Sequence, residues 1–238
     1  MMKQMQKTVC ALAVLATLSL PALAESIDVR VIGTITPSAC TPNLSGGGTI
    51  DYGAISPESL SADGYTVLAA KQLDFAITCD APTKVALKAI NGRPNSLAGA
   101  SESGTNGAGK APDGVTLFST SGVGVVGLGL DGESKVGGYG IRLAGGTVTA
   151  DDQPVHTLQS NTNTDNWSIS ADNLGSLFSG YSQLRFNSWG AEGSKEPVAF
   201  EALSGKLEVQ AYINKVSELD LTKPVPLDGL TTIELVYL

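Results

Sequence analysis

The chain has 238 residues, of which 23 are acidic and 15 basic, so its formal net charge is −8. That length is sufficient for one large domain with a proper hydrophobic core. The negative charge argues against nucleic acid and anionic membrane surfaces as partners, because both are themselves negatively charged.

Residues 1–24 have the pattern of a secretory signal peptide. Lys3 and Lys7 precede the apolar run Val9–Leu20, which is too short to span a membrane and is soon followed by polar sequence. The small residues that signal peptidase accepts place cleavage between Ala24 and Glu25. An uncleaved anchor is the alternative, and the short apolar run argues against it. Cleavage removes two lysines from the 15 basic side chains and leaves 13 against 23 acidic ones, a net charge of −10. The exported chain, residues 25–238, is predicted to form a single domain.

Two cysteines remain after cleavage, because Cys10 lies within the signal peptide. Cys40 and Cys79 form an even pair in an exported chain, and the simplest interpretation is one disulfide bond between them. Two free buried thiols are the alternative. The chain has one histidine, and the disulfide would leave neither cysteine free to bind a metal. No zinc site is therefore expected, and no cofactor is predicted.

Apolar and polar residues alternate in several short segments, a pattern typical of half-buried antiparallel strands with one solvated face. In chain order these segments are Ile27–Ile35, Leu73–Cys79, Val85–Ala89, Leu207–Ile213 and Ile233–Tyr237. Helix signals are scarce and glycine is abundant, with 28 residues. Short strands at close spacing predict an all-β chain with an immunoglobulin-like β-sandwich.

The middle of the chain, at about residues 95–195, is predicted to be a glycine-rich, irregular insertion in this sandwich. Residues 95–114 are predicted to be a mobile loop. A hairpin is predicted through Asp131-Gly132 into Tyr139–Leu143, with glycines permitting close strand approach. Residues 174–181 have apolar side chains at helical spacing, but two glycines among them allow at most a short helix.

Motifs that carry chemistry in other proteins are weak in this chain. Gly122, Gly124 and Gly127 match a dinucleotide fingerprint by letter, but β-like sequence follows them instead of a helix, so a glycine-rich strand pair is predicted. His156 lies in a polar segment and no Gly-x-Ser-x-Gly elbow exists, so a surface or turn histidine is predicted. No catalytic residue is predicted, and an exported hydrolase is the least favoured function.

Two further features admit a binding role. Asp151-Asp152 and Asp131–Glu133 could contribute oxygen ligands to calcium, but they lack the spacing of a dedicated loop, so solvated turns are predicted. Trp167 and Trp189 are the two tryptophans, and both are predicted to be core anchors. The alternative for either is an aromatic platform for a carbohydrate receptor.

Short motifs in a fixed order resemble the chaperone–usher fimbrial (pilin-like) subunits, and the length is similar to that of long fimbrial-like proteins of unknown function. The matching segments are Gly33–Ile35 followed by Cys40, Asp51–Ile55, Phe75–Cys79, Pro197–Phe200, Leu207–Tyr212 and the penultimate Tyr237. The resemblance covers residues 29–90 and 197–238. It implies an incomplete sandwich that a periplasmic chaperone, and then a neighbouring subunit, completes by strand addition.

The resemblance implies that Ile233, Leu235 and Tyr237 form the strand-complementation edge. The first strand is predicted to begin near Val29, so only Glu25–Asp28 precede it, and the expectation is a subunit without a donor extension, as at a tip or terminating position. The expected function is therefore a non-enzymatic structural or adhesive subunit of a fimbria. Its expected partners are a chaperone, an usher, neighbouring subunits and a carbohydrate receptor, in the periplasm and then at the cell surface. The alternative is a self-complete, soluble periplasmic or secreted binding protein with the same sandwich.

Overall fold

The computed structural model of the chain describes residues 39–103, 106–171, 174–181 and 183–238. These residues belong to a compact unit that spans Pro37–Leu238, and the other unit, Met1–Thr36, lies outside them. The predicted signal peptide, its cleavage site at Ala24 and Glu25, and the predicted first strand also lie outside the described residues.

The described residues are mostly strands and turns, as the alternating segments predict. In chain order the strands are β1 (Cys40–Leu44), β2 (Thr66–Val67), β3 (Lys71–Thr83), β4 (Val85–Asn91), β5 (Gly109–Lys110), β6 (Thr116–Leu117), β7 (Thr120–Ser121), β8 (Gly124–Gly127), β9 (Leu130–Asp131), β10 (Ser134–Lys135), β11 (Gly137–Leu143), β12 (Thr149–Ala150), β13 (Gln153–Pro154), β14 (His156–Ser160), β15 (Ser168–Ile169), β16 (Phe186–Gly190), β17 (Phe200–Ile213) and β18 (Thr231–Tyr237). Short 3-10 helices occur at Ser45–Gly48, Pro57–Ser59 and Val216–Glu218. No helix among the described residues is long and apolar enough to cross a membrane.

Two antiparallel sheets contain most of these strands. The larger, nine-stranded sheet has the order β1-β3-β17-β11-β8-β5, with β2, β12 and β13 attached at its side. The smaller, five-stranded sheet has the order β15-β14-β16-β4-β18. β17 is the long central strand of the larger sheet, and β18 pairs with β4 along its whole length, from Thr231 opposite Asn91 to Tyr237 opposite Val85.

The main hydrophobic core lies between the two sheets. The larger sheet contributes buried side chains from β3, β11 and β17, and the smaller sheet contributes them from β4 and β16; they include Phe75, Ile77, Val85, Leu87, Ile141, Trp189, Phe200 and Leu207. Side chains alternate along β3 as its pattern predicts, with Phe75, Ile77 and Cys79 buried and Thr78 exposed. The predicted all-β sandwich is confirmed.

From Leu207 to Ile213, β17 is covered on both faces, which corrects the solvated face predicted for this segment. Val209 and Ala211 point into the main core, and successive strand residues point to opposite sides, so the fully buried Tyr212 lies on the outer face. Glu208 is also buried there, and its carboxylate accepts a hydrogen bond from Arg142 Nε at 2.6 Å.

A second hydrophobic cluster covers this outer face. Its buried members are Leu97, Ala111, Val115, Leu117, Val123, Val125 and Tyr212. Glycines let it approach the sheet closely: a Cβ on Gly127 would lie 2.1 Å from Ser96 Oγ, and one on Gly138 would lie 2.7 Å from Leu97 Cδ1. Burial of these apolar side chains stabilises the packing of this layer against the sheet.

The glycine-rich middle therefore differs from the irregular insertion predicted for residues 95–195. It supplies β11 to the larger sheet and β14 and β16 to the smaller one, and the predicted loop at residues 95–114 contains the fully buried Leu97 and Ala108. The predicted hairpin is present as β9–β10, followed by β11. Residues 174–181 contain no helix, and they place Leu177 and Phe178 in the core.

Candidate functional site

Two edge strands border an open seam between the sheets. Among the described residues, β1 pairs only with β3, and β18 pairs only with β4. The two edges meet at one end, where the Cys40 N–H donates a hydrogen bond to the Tyr237 hydroxyl oxygen at 2.9 Å. An edge strand with one sheet neighbour presents a row of backbone donors and acceptors to any chain that lies beside it.

The seam opens into an apolar cavity of about 170 Å³, which we call the β1–β18 cleft. Residues from both edges and from the sheet floor line it, including Leu44, Ile50, Tyr52, Leu73, Leu227 and Ile233. All six are half-buried and pack against the main core. Half-buried apolar side chains that form one continuous surface are typical of a binding site, because a partner that covers them removes apolar area from water.

A second cavity of about 660 Å³ adjoins the β1–β18 cleft, and the two share Ile50, Tyr52 and Leu227 as lining residues. One wall of the second cavity is the segment Pro224–Leu227, which leads into β18. The proline-rich segment was not singled out from the sequence, because only two apolar residues, Val225 and Leu227, alternate with its prolines.

Tyr52 fixes the wall of the cleft opposite β18. Its hydroxyl donates to the Val209 carbonyl and accepts from the Ala211 N–H, each at 3.2 Å. Burial raises the pKa of Tyr52 above its ordinary value, and the hydrogen bond from Ala211 acts in the opposite direction. Asp51–Ile55 resemble a short strand of the pilin-like subunits, but here they form no strand and have no sheet partner, and the side chain of Tyr52 makes the link instead.

Tyr139 lies on the floor of the cleft, and burial raises its pKa to about 12. Its hydroxyl lies 2.6 Å from Thr231 Oγ1, at the start of β18. In the unfolded chain this tyrosine loses its proton near pH 10, whereas in the folded chain it keeps the proton to about pH 12. The contribution of the protonated Tyr139 to the free energy of unfolding is therefore complete below pH 10, and it is lost as the pH rises through the folded pKa of this tyrosine.

We expect the wild-type free energy of unfolding to fall by roughly 2–3 kcal/mol more between pH 10 and 12 than that of Tyr139→Phe, because one pKa unit is equivalent to about 1.4 kcal/mol. Urea titrations at each pH measure the difference. Burial also raises the pKa of Tyr212, so both proteins should lose some stability. Parallel pH dependence in the two proteins would contradict the expectation.

The predicted disulfide is present between Cys40 and Cys79, which lie directly opposite each other in β1 and β3. It therefore ties one edge of the cleft to the body of the larger sheet. Ile233, Leu235 and Tyr237 lie in the edge strand β18, as their pattern predicts. Ile233 and Leu235 pack against the core, whereas Tyr237 is half exposed at the end of the seam.

The residues considered for catalysis or metal binding do not line the β1–β18 cleft. His156 lies in a strand, β14, and not in a turn; it is half-buried, and its Nε2 lies 3.0 Å from the Ser194 carbonyl oxygen. The Asp151 carboxylate accepts hydrogen bonds from the backbone N–H groups of Glu201 and Ala202. The described residues contain no group of three or more His, Cys, Asp or Glu side chains that could hold a metal ion.

The tryptophans behave differently from each other. Trp189 is buried in the main core, as predicted, and meets the Phe200 ring edge-to-face with centroids 6.0 Å apart. Trp167 is half-buried and belongs to neither hydrophobic cluster of the described residues, so its predicted core position is wrong. The strand pattern that predicts burial at Trp189 is missing around Trp167, which follows a run of polar loop residues.

The fold and the cleft define an all-β sandwich protein with a disulfide-tied edge, and comparisons with known proteins place it in a family. Residues 29–139 match the model of a family described as "Protein of unknown function (DUF1120)". The chain is 32% identical to Protein GltF of Escherichia coli strain K12 over 248 residues, an alignment that covers 96% of this chain and 94% of GltF. The chain therefore belongs to the family of GltF.

A second relative from the same organism, the uncharacterized protein YhcF, is 31% identical over 134 residues, which is 52% of each chain. No solved structure gives a significant match. The names of this family and of these two relatives state no activity, ligand or partner, and none of them is the name of a fimbrial protein.

Proposed function

We propose that the chain is a non-enzymatic structural or adhesive subunit of a bacterial surface fimbria that is assembled by strand addition. The observation that carries the proposal is the edge strand β18 beside an apolar cleft. β18 has seven residues, so a partner strand alongside it would extend over roughly 23 Å. Such a strand would add main-chain hydrogen bonds and place alternate side chains in the β1–β18 cleft.

The arrangement of the cleft supports an extended segment as its occupant in preference to a compact ligand. The lining is mostly apolar, and Lys88 and Glu234, which join β4 to β18 through an ion pair at 2.6 Å, do not line it. The disulfide holds the opposite edge in place while the cleft is open. In the proposed assembly a periplasmic chaperone supplies the first strand and a neighbouring subunit replaces it at the usher, after export through the predicted signal peptide.

The test is to mix the exported chain, residues 25–238, with a periplasmic fimbrial chaperone from the same genome and to analyse the mixture by size-exclusion chromatography with light scattering. A stable one-to-one complex is expected. Ile233→Asp should abolish it, because a charge in the apolar cleft loses its hydration. Thr232→Asp is the matched control, since Thr232 is exposed in the same strand, and it should leave the complex intact.

A wild-type chain that unfolds cooperatively and reversibly on its own, and binds no chaperone, would overturn the proposal. That outcome would favour the alternative, a self-complete soluble binding protein, because an open apolar edge should make an incomplete sandwich prone to aggregation. Near-ultraviolet circular dichroism and thiol titration of each variant separate lost binding from lost folding.

A further inference from the structure

Trp167 is held at the surface in a fixed orientation. Its indole Nε1–H donates a hydrogen bond to the Thr164 carbonyl oxygen at 3.0 Å, within its own loop between β14 and β15. The ring is half-buried but joins neither hydrophobic cluster, and no lysine or arginine of the described residues lies over it. A large aromatic ring that is ordered outside a core is characteristic of a contact surface.

The ring lines a cavity of about 340 Å³ at one end of the sandwich, which we call the Trp167 cleft. Three connections meet there: the β3–β4 junction with Lys84, the β14–β15 loop with Asp165 and Trp167, and the β16–β17 loop with Lys195 and Glu196. Loops that converge at the end of a rigid sandwich are a common location for binding sites. The volume falls within the range of small-molecule sites.

The polar lining of the Trp167 cleft contains both signs of charge. Lys84 and Lys195 supply donors, Asp165 and Glu196 supply acceptors, and no salt bridge joins any of these four side chains among the described residues. The Asp165 carboxylate accepts one hydrogen bond, from Asn163 Nδ2 at 3.1 Å, and so retains free lone pairs. The charged side chains of the lining balance, with two cationic and two anionic, so positive charge is not in excess, which disfavours a phosphate or a polyanion.

We propose that the Trp167 cleft binds a neutral saccharide. A pyranose has an apolar C–H face that stacks on an aromatic ring, and its hydroxyl groups both donate and accept hydrogen bonds, which matches a lining with both ammonium donors and carboxylate acceptors. The site lies apart from the β1–β18 cleft and shares none of its lining residues. The proposal therefore does not depend on strand addition.

The test uses the exported chain with glucose, galactose, mannose and N-acetylglucosamine, each titrated separately and observed by saturation-transfer NMR of the sugar. At least one sugar should give saturable transfer. Trp167→Ala should weaken its binding by about three- to tenfold, because the loss of ring stacking is on that order. Trp167→Phe should retain part of the affinity. Tyr181→Ala, which removes an exposed aromatic side chain elsewhere, is the matched control and should bind as the wild type does.

Glucuronic acid serves as the charged comparison and should bind more weakly than the neutral sugars. The absence of saturable transfer with every neutral sugar would overturn the proposal, and so would equal binding by wild type and Trp167→Ala. Because Trp167 lies outside both clusters, Trp167→Ala should keep the wild-type midpoint of thermal unfolding. An unchanged midpoint would show that Trp167→Ala loses sugar affinity because the ring is missing and not because the protein unfolds.

Discussion

Replacing both Cys40 and Cys79 with alanine is expected to lower the free energy of unfolding by about 4 kcal/mol. The two residues are 39 positions apart, and the disulfide removes the corresponding loop-closure freedom from the unfolded chain. Native packing adds to the effect, because Cys79 is buried in the main core. β1 is an edge strand, so without the bond it is attached to the larger sheet by its pairing with β3 and by the packing of Leu44 against the main core.

Urea unfolding of residues 25–238, followed by circular dichroism, measures this difference. Wild-type protein treated with a reductant should match the double-alanine variant. Thr41→Ala is the control, since Thr41 is exposed in the same strand, and it should change stability by less than about 0.5 kcal/mol. A double-alanine variant as stable as the control would show that the bond does not stabilise the sandwich.

Trp189→Ala is expected to destabilise the chain by about 3–5 kcal/mol, the range for removing a fully buried large aromatic side chain. Trp189 is only 1% exposed and lies in β16, where its ring contacts Phe200 of β17 in the opposite sheet. The truncation opens a cavity between the two sheets, which close packing around the site cannot fill.

The two tryptophans provide a matched comparison for this prediction. Trp167→Ala removes the same atoms from a half-buried loop position and should cost less than about 1 kcal/mol. Trp189→Phe should cost less than Trp189→Ala, because it keeps a ring and removes an indole N–H that has no acceptor among the described residues. Equal losses at positions 167 and 189 would contradict the assignment of Trp189 to the core.

Alternation along single strands was predictable because each strand has one face toward the main core. Phe75 and Ile77 in β3, and Ile233 and Leu235 in β18, lie where a period of two places them. The same reasoning failed at Tyr212 and Glu208, because a pattern within one strand does not reveal that a distant segment covers the other face. It also failed for the glycine-rich middle, where small residues are a condition for close packing and not a sign of a loop.

The β1–β18 cleft was predictable in part. The last strand and its apolar residues followed from the sequence, whereas the opposite wall, with Ile50, Tyr52 and Leu227, did not. Leu227 lies 175 positions after Tyr52, and no regular pattern surrounds either residue, so only the folded chain brings them together. Trp167 was placed wrongly for a related reason, since composition does not distinguish a core tryptophan from one held in a loop.

The sequence by itself determined the all-β class, the pairing of Cys40 with Cys79 and the position of the last strand, because these depend on local periodicity and on a count of cysteines. Only the tertiary structure decided that the glycine-rich middle supplies strands to both sheets, that β1 and β18 border one open cleft, and that three loops meet at Trp167. These features depend on which distant segments come into contact. Burial of apolar area across the whole chain determines those contacts, and no local pattern reports it.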